Sequence, residues 1–262
     1  MKKYFCFAAF ICCLFLYTGC SNEKIKEPNS SDNSQVVETN HKPSIKSEET
    51  MIGKIIKIDS DSIFVADTED EHGLYQISAS EFADETSNLS VGDIVEIGFD
   101  GLILEIYPGI IANVDYIMFL EKGEDFVGLY HDIFMDLYET DSGLNSDIDY
   151  IALDLTKDKN LTPSEKNALL YLLWCDMLIE TRLATYDDLL AENLITINKN
   201  TGFSELENGM LLKLESTKAE DENFTFTAEK WRSSLGAYYF NNCDAKKENG
   251  KWTYSIGQEM IS

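Results

Sequence analysis

Residues 110–138, IIANVDYIMFLEKGEDFVGLYHDIFMDLY, decide the fold. Up to Leu120 the stretch reads as strand. From Phe126 the pattern changes: Phe126, Tyr130, Ile133 and Leu137 recur at i, i+4, i+7 and i+11, with Val127, Phe134 and Tyr138 alongside. Asp132, Asp136 and Glu139 take the other face, so the segment is an amphipathic helix. The change of period between Leu120 and Phe126 places a boundary near Gly123. It divides the chain into an all-strand part, 51–122, and a mixed part, 123–262.

Working toward the N-terminus, the strand runs are Ile52–Ile58, Ser62–Ala66, Leu74–Ser78, Asp93–Phe99, Leu102–Ile106 and Ile110–Leu120. Asp100-Gly101 between two apolar runs is a two-residue hairpin signal. Ser80–Asp84 reads as a short helical turn. Five or six short strands in about 70 residues predict a small barrel, most simply an OB-like one. Working toward the C-terminus, Ile148–Leu155 alternates as a strand. Thr162-Pro163-Ser164-Glu165 is a capping box with proline at the first helical position. Thr185-Tyr186-Asp187-Asp188 opens a third, short helix. Strands follow near Met210–Glu215, Phe224–Thr227, Ala237–Lys247 and Lys251–Ile256, the last two joined by a turn at Asn249-Gly250. Helices followed by an antiparallel sheet give an α+β class overall.

The phrase Gly53-Lys54-Ile55-x-x-Ile58, the run Glu81-Phe82-Ala83-Asp84-Glu85-Thr86, then Val91-Gly92-Asp93-Ile94-Val95-Glu96-Ile97 and the Tyr107-Pro108 step recur together in one family. By these residues the first third of the chain resembles uncharacterised lipoproteins of Gram-positive bacteria. The resemblance implies a small OB-like domain and no established activity. The closing hairpin is similar to that of nuclear-transport-factor-like cone folds. Lys230-Trp231-Arg232-Ser233-Ser234-Leu235-Gly236-Ala237 resembles a domain found beside signalling membrane metallopeptidases, although no metallopeptidase helix occurs here.

The first 19 residues have the layout of a secretory signal. Lys2 and Lys3 precede an apolar run, Tyr4–Tyr17, which closes on Thr18-Gly19-Cys20. The arrangement resembles a bacterial lipoprotein signal, which implies lipidation of Cys20, removal of 1–19 and anchoring outside the cytoplasm. The alternative is an uncleaved anchor or a signal without lipid, but the run is short of the ~20 residues a spanning helix needs. Residues 20–50 then supply the lipidated cysteine and a polar tether without periodicity.

The formal net charge is −26. Phosphate backbones would be repelled, which excludes nucleic acid as a partner. Residues 51–122 carry 3 basic and 15 acidic side chains, and 230–262 alone reverse sign, with 5 basic against 3 acidic. That basic segment either pairs with the protein's own acidic surface or faces an anionic ligand. Once the signal is gone, Cys175 and Cys243 remain beside Cys20, so at most one disulfide can form.

Asp154, Thr156, Asp158, Asn160, Thr162 and Glu165 have calcium-loop spacing, but Lys159 stands where such a loop needs glycine and a strand precedes it. The segment reads as a strand-to-helix loop. His41, His72 and His131 lack partners at metal spacing, and no catalytic motif is present. No cofactor, metal or catalytic residue is therefore expected. The ligand-binding candidates are Trp231, Arg232 and Tyr238: a stacking face, a planar charged fork and a strand neighbour. The competing reading makes Trp231 a core anchor and Arg232 an internal pair. The expected function is a membrane-anchored extracytoplasmic lipoprotein that binds or senses an envelope peptide or anionic ligand without catalysis. The alternative is a cell-envelope hydrolase with unidentified carboxylates. Composition does not set the oligomeric state.

Overall fold

In the computed structural model, residues 47–79 and 88–262 are described. Cys20, the signal, most of the tether and the expected turn at Ser80–Asp84 lie outside the described residues. The first sheet contains β1 (Glu49–Ile58), β2 (Ser62–Asp67), β3 (Leu74–Ser78), β4 (Ile94–Phe99), β5 (Ile103–Leu104), β6 (Gly109–Ile111) and β7 (Val114–Glu121). Its order is β5-β6-β3-β2-β1-β4-β7, and it curls into a half-barrel. All its pairs are antiparallel except β3 with β6.

The expected run Ile110–Leu120 is two strands toward opposite ends of the sheet, β6 second from one edge and β7 at the other. Asn113 separates them: its amide donates to Asp100 at 2.7 Å and its carbonyl accepts from the Asp100 N–H. The chain turns there, so β6 joins β5 and β3 while β7 joins β4.

The second part holds α1 (Phe126–Glu139), a 3-10 turn (Ser142–Asn145), β8 (Tyr150–Asp154), α2 (Pro163–Met177), β9 (Glu180–Leu183) and α3 (Tyr186–Ala191). Seven strands follow: β10 (Ile195–Ile197), β11 (Ser204–Leu206), β12 (Gly209–Ser216), β13 (Asn223–Ser233), β14 (Gly236–Glu248), β15 (Lys251–Ser255) and β16 (Gln258–Ile261). The capping boxes at Thr162 and Thr185 form as their sequences require. The sheet is mixed, which corrects the antiparallel expectation: α2 carries the chain from β8 to a parallel β9, and β8 also runs parallel to β12. A strand-helix-strand crossover returns the chain in the same direction, which a hairpin cannot do. The class is thus α+β, with more strand than helix.

One apolar cluster gathers α1, α2 and the inner face of the second sheet, and takes in Ile56, Phe64, Ala66 and Leu74 from the first sheet. β2 is buried on both faces. Ile63 and Val65 fill the half-barrel with Val95, Ile97 and Ile117. Phe64 and Ala66 belong to the cluster that holds the helices. All described residues belong to one compact unit.

Candidate functional site

A cleft of about 890 Å³ lies along the seam between the first sheet and the helices. One wall begins at β1, whose register shifts between Ile55 and Lys57, a bulge that re-aims Lys57 and Ile58. The Ser90–Asp93 loop closes on that bulge through Gly92 N–H to Ile55 O (2.8 Å) and Ile55 N–H to Asp93 O (2.9 Å). Gly92 has φ +94°, and a Cβ on Gly123 would lie 2.3 Å from Gly92 O, so the two strands of backbone meet only because both are glycine. Asp93 is buried and accepts both contacts of the Lys122 ammonium, at 3.0 and 2.9 Å.

The floor is the start of α1. Asp125 caps it by accepting the Gly128 N–H at 2.8 Å. A side chain on Gly128 would collide with that carboxylate. Burial pushes the Asp125 carboxyl above its usual range; the Gly128 bond opposes this and the nearby Asp132 charge adds to it. One turn on, His131 Nε2 lies 2.8 Å from Asp176 of α2, in a contact too poorly directed to count as a hydrogen bond. Leu129, Leu172 and Cys175 complete this side. Cys175 and Cys243 are both free thiols.

The opposite wall is the β14–β15 hairpin. Asn249 (φ 52°) and Gly250 (φ 81°) form its turn. Glu124 fastens it, accepting from Lys247 Nζ at 2.8 Å and Trp252 Nε1 at 2.7 Å. The Trp252 ring lies 5.1 Å from Phe126 and 5.4 Å from Phe224. The lining thus holds four lysines (57, 122, 247 and 251) and four aspartates (93, 125, 132 and 176), an even balance in a chain of net charge −26. Among the described residues no group of three or more His, Cys, Asp and Glu could hold a metal ion, and no helix is long and apolar enough to cross a membrane.

The sequence candidates fall elsewhere, and the structure does not bring them together. Trp231 packs on the outer face of the second sheet with Leu189, Leu206 and Leu211, its ring 5.2 Å from Tyr186. Tyr238 belongs to the cluster on the inner face, and its hydroxyl donates to Glu259. Arg232 donates to the carbonyls of Leu144 (3.2 Å), Ser146 (2.5 Å) and Glu207 (2.6 Å). Its neighbour Lys230 is fully buried and donates to the carbonyls of Tyr138 (2.8 Å), Thr140 (2.6 Å) and Asp141 (3.2 Å). It sits at the negative end of α1, whose last turn contains no basic residue of its own.

The calcium-like segment is likewise engaged by protein donors. Asp158 accepts from Tyr130 (2.7 Å), Ser216 (3.0 Å) and the Leu161 N–H (2.9 Å). Glu165 accepts the Thr162 N–H and binds Lys54 Nζ at 2.6 Å.

Sequence reasoning missed Lys57, Lys122, Asp125, Asp176 and Lys251 as one site. A signal for it did exist. Residues 51–122 contain just three basic side chains, and all three end at the seam: Lys54 on Glu165, Lys57 and Lys122 in the cleft. No family model matches the chain, and no curated protein is significantly similar to it.

Proposed function

We propose that the protein is a lipid-anchored extracytoplasmic binding module that takes a short peptide in the seam cleft. The localisation rests on Lys2, Lys3, the Tyr4–Tyr17 run and Cys20. In this reading the curled first sheet is an OB-like barrel, as the short strands of residues 51–122 suggest. The observation that carries the binding role is the even charge of the cleft in a strongly acidic chain. A peptide offers an ammonium for Asp132 and Asp176, a carboxylate for Lys57 and Lys251, and apolar side chains for Leu129, Leu172 and Ile58. Such mixed lining suits a zwitterion better than a simple anion.

Titration of a free tetrapeptide library, read by calorimetry, tests this. Lys251→Glu and Asp132→Lys each weaken binding at least ~10-fold, as loss of a charged hydrogen bond requires, at unchanged melting temperature. No heat from any peptide sinks the proposal. The hydrolase alternative has one observation in its favour, the raised Asp125 carboxyl, which suits a general acid. New peptide termini in the same titration, lost in Asp125→Asn, would favour it.

A further inference from the structure

The edge of the first sheet carries an apolar strip that the peptide site does not use. After the Asp100-Gly101 turn, Leu102, Leu104 and Ile106 are exposed, while Ile103 packs against the half-barrel core. Leu102 is 51% exposed, Leu104 44%, Ile106 59% and Tyr107 59%. The Tyr107 ring meets Tyr171 edge-on at 5.9 Å, and Tyr171 in turn meets the exposed Trp174 at 5.9 Å. Aliphatic side chains bordered by tyrosine and tryptophan are the composition of a membrane interface.

The position of the chain entry indicates what covers the strip. β1 begins at Glu49, which pairs with Phe99, and Glu49 Cγ lies 3.2 Å from where a Cβ on Gly101 would be. β4 and β5 do not pair, so Asp100-Gly101 is no hairpin turn but leads into the β5–β6 hairpin, and β1 begins at its root. Residues 21–48, 28 in number, separate Cys20 from the first residue of β1.

We propose that the Leu102–Tyr107 edge rests on the bilayer in which the acylated Cys20 is held; this builds on the lipid-anchor part of the function proposed above. The contact is apolar and not electrostatic. No lysine or arginine occurs between Lys57 and Lys122, while Asp100 precedes the strip, Glu105 lies within it and Glu49 lies beside Gly101. Anionic headgroups repel these acids, so added salt strengthens association with anionic vesicles, the reverse of a basic surface.

The test uses two forms of the full chain. Acylated protein in vesicles of brominated phosphatidylcholine carries a tryptophan reporter through Ile106→Trp or, as a control on the distant β13–β14 turn, Leu235→Trp. Quenching at 106 well above that at 235 is expected. The Cys20→Ser chain should sediment with phosphatidylcholine vesicles. Adding phosphatidylglycerol should weaken this, salt should restore it, and Leu102→Ser, Leu104→Ser and Ile106→Ser together should lower it on the order of 100-fold.

Equal quenching at both positions overturns the proposal, as does concentration-dependent dimerisation that Ile106→Ser abolishes, which would make a second copy the occupant. The mass of the native chain separates the two ideas. Acyl chain on Cys20 without quenching at 106 removes the hairpin contact alone. Quenching at 106 in a chain without acyl removes the anchor and keeps the contact.

Discussion

At the corner formed by Lys230 and Arg232, six N–H···O bonds end on main-chain carbonyls. At the seam cleft, lysines of the same kind meet carboxylates: Lys57 pairs with Asp59 while both side chains stay exposed, and the Lys122 side chain remains 66% exposed although its partner Asp93 is buried. Both places combine cations with a tryptophan. In the first, the acceptors are fixed by the helix end and the turn after it, so the donors have no freedom to receive a ligand. In the second, an exposed cation such as Lys57 can exchange its protein partner for a ligand group at small cost, because exposed ion pairs contribute ~0–1 kcal/mol. The difference lies in the acceptor and not in the residue types.

The largest effect should come from Lys230→Met. It leaves three carbonyls at the end of α1 without their shared donor, and a loss of about 3–5 kcal/mol in urea unfolding is expected. Burial pushes the Lys230 ammonium down to about 8 from 10.5, against the opposing pull of Asp141. The folded value lies below the unfolded one, so the unfolded chain holds this proton more tightly. Stability attributable to Lys230 therefore rises as pH passes from about 8 toward 10.5. The gap between wild type and Lys230→Met should widen over that window; a gap that narrows would show that the carbonyls govern the proton instead.

Lys54→Met is next, at about 3 kcal/mol, because it strands the buried Glu165 carboxylate across the seam. It also sharpens the question of whether 51–122 and 123–262 fold separately. If each unfolds cooperatively alone, Lys54→Met changes neither isolated part but lowers the stability of the whole. Adding Glu165→Gln should recover part of the loss. Arg232→Ala should cost about 2 kcal/mol and leave peptide affinity in the cleft unaltered. A weakened affinity at unchanged stability would return the ligand site to Trp231 and Arg232.

Periodicity was a good guide where one element governs its own side chains. The helix from Phe126, the Thr162 and Thr185 caps and the Asn249-Gly250 turn all follow from neighbours within a few residues. It was a poor guide where partners are distant. The break at Asn113 depends on Asp100, and the parallel placement of β9 depends on where α2 packs. Trp231 and Tyr238 were grouped as one candidate site because they lie close in sequence, yet β13 and β14 place them on opposite faces. The cleft draws on β1, the Ser90–Asp93 loop, α1, α2 and the last hairpin, so no local window contains it.

By itself the amino-acid sequence determined the acidic character, the alternation that makes residues 51–122 strand, the amphipathic helix from Phe126, the Thr162 and Thr185 helix caps, and so the α+β class. These depend on side-chain period and on bonds between near neighbours, which act wherever the segment lies. Tertiary structure decided which cations are locked and which are available. Lys230 is indistinguishable in sequence from Lys251; one is enclosed at the end of a helix 90 residues earlier in the chain, and the other stands at the mouth of a cleft. The energy of a charge depends on its solvent and its nearest acceptors, and those are set when distant segments pack together.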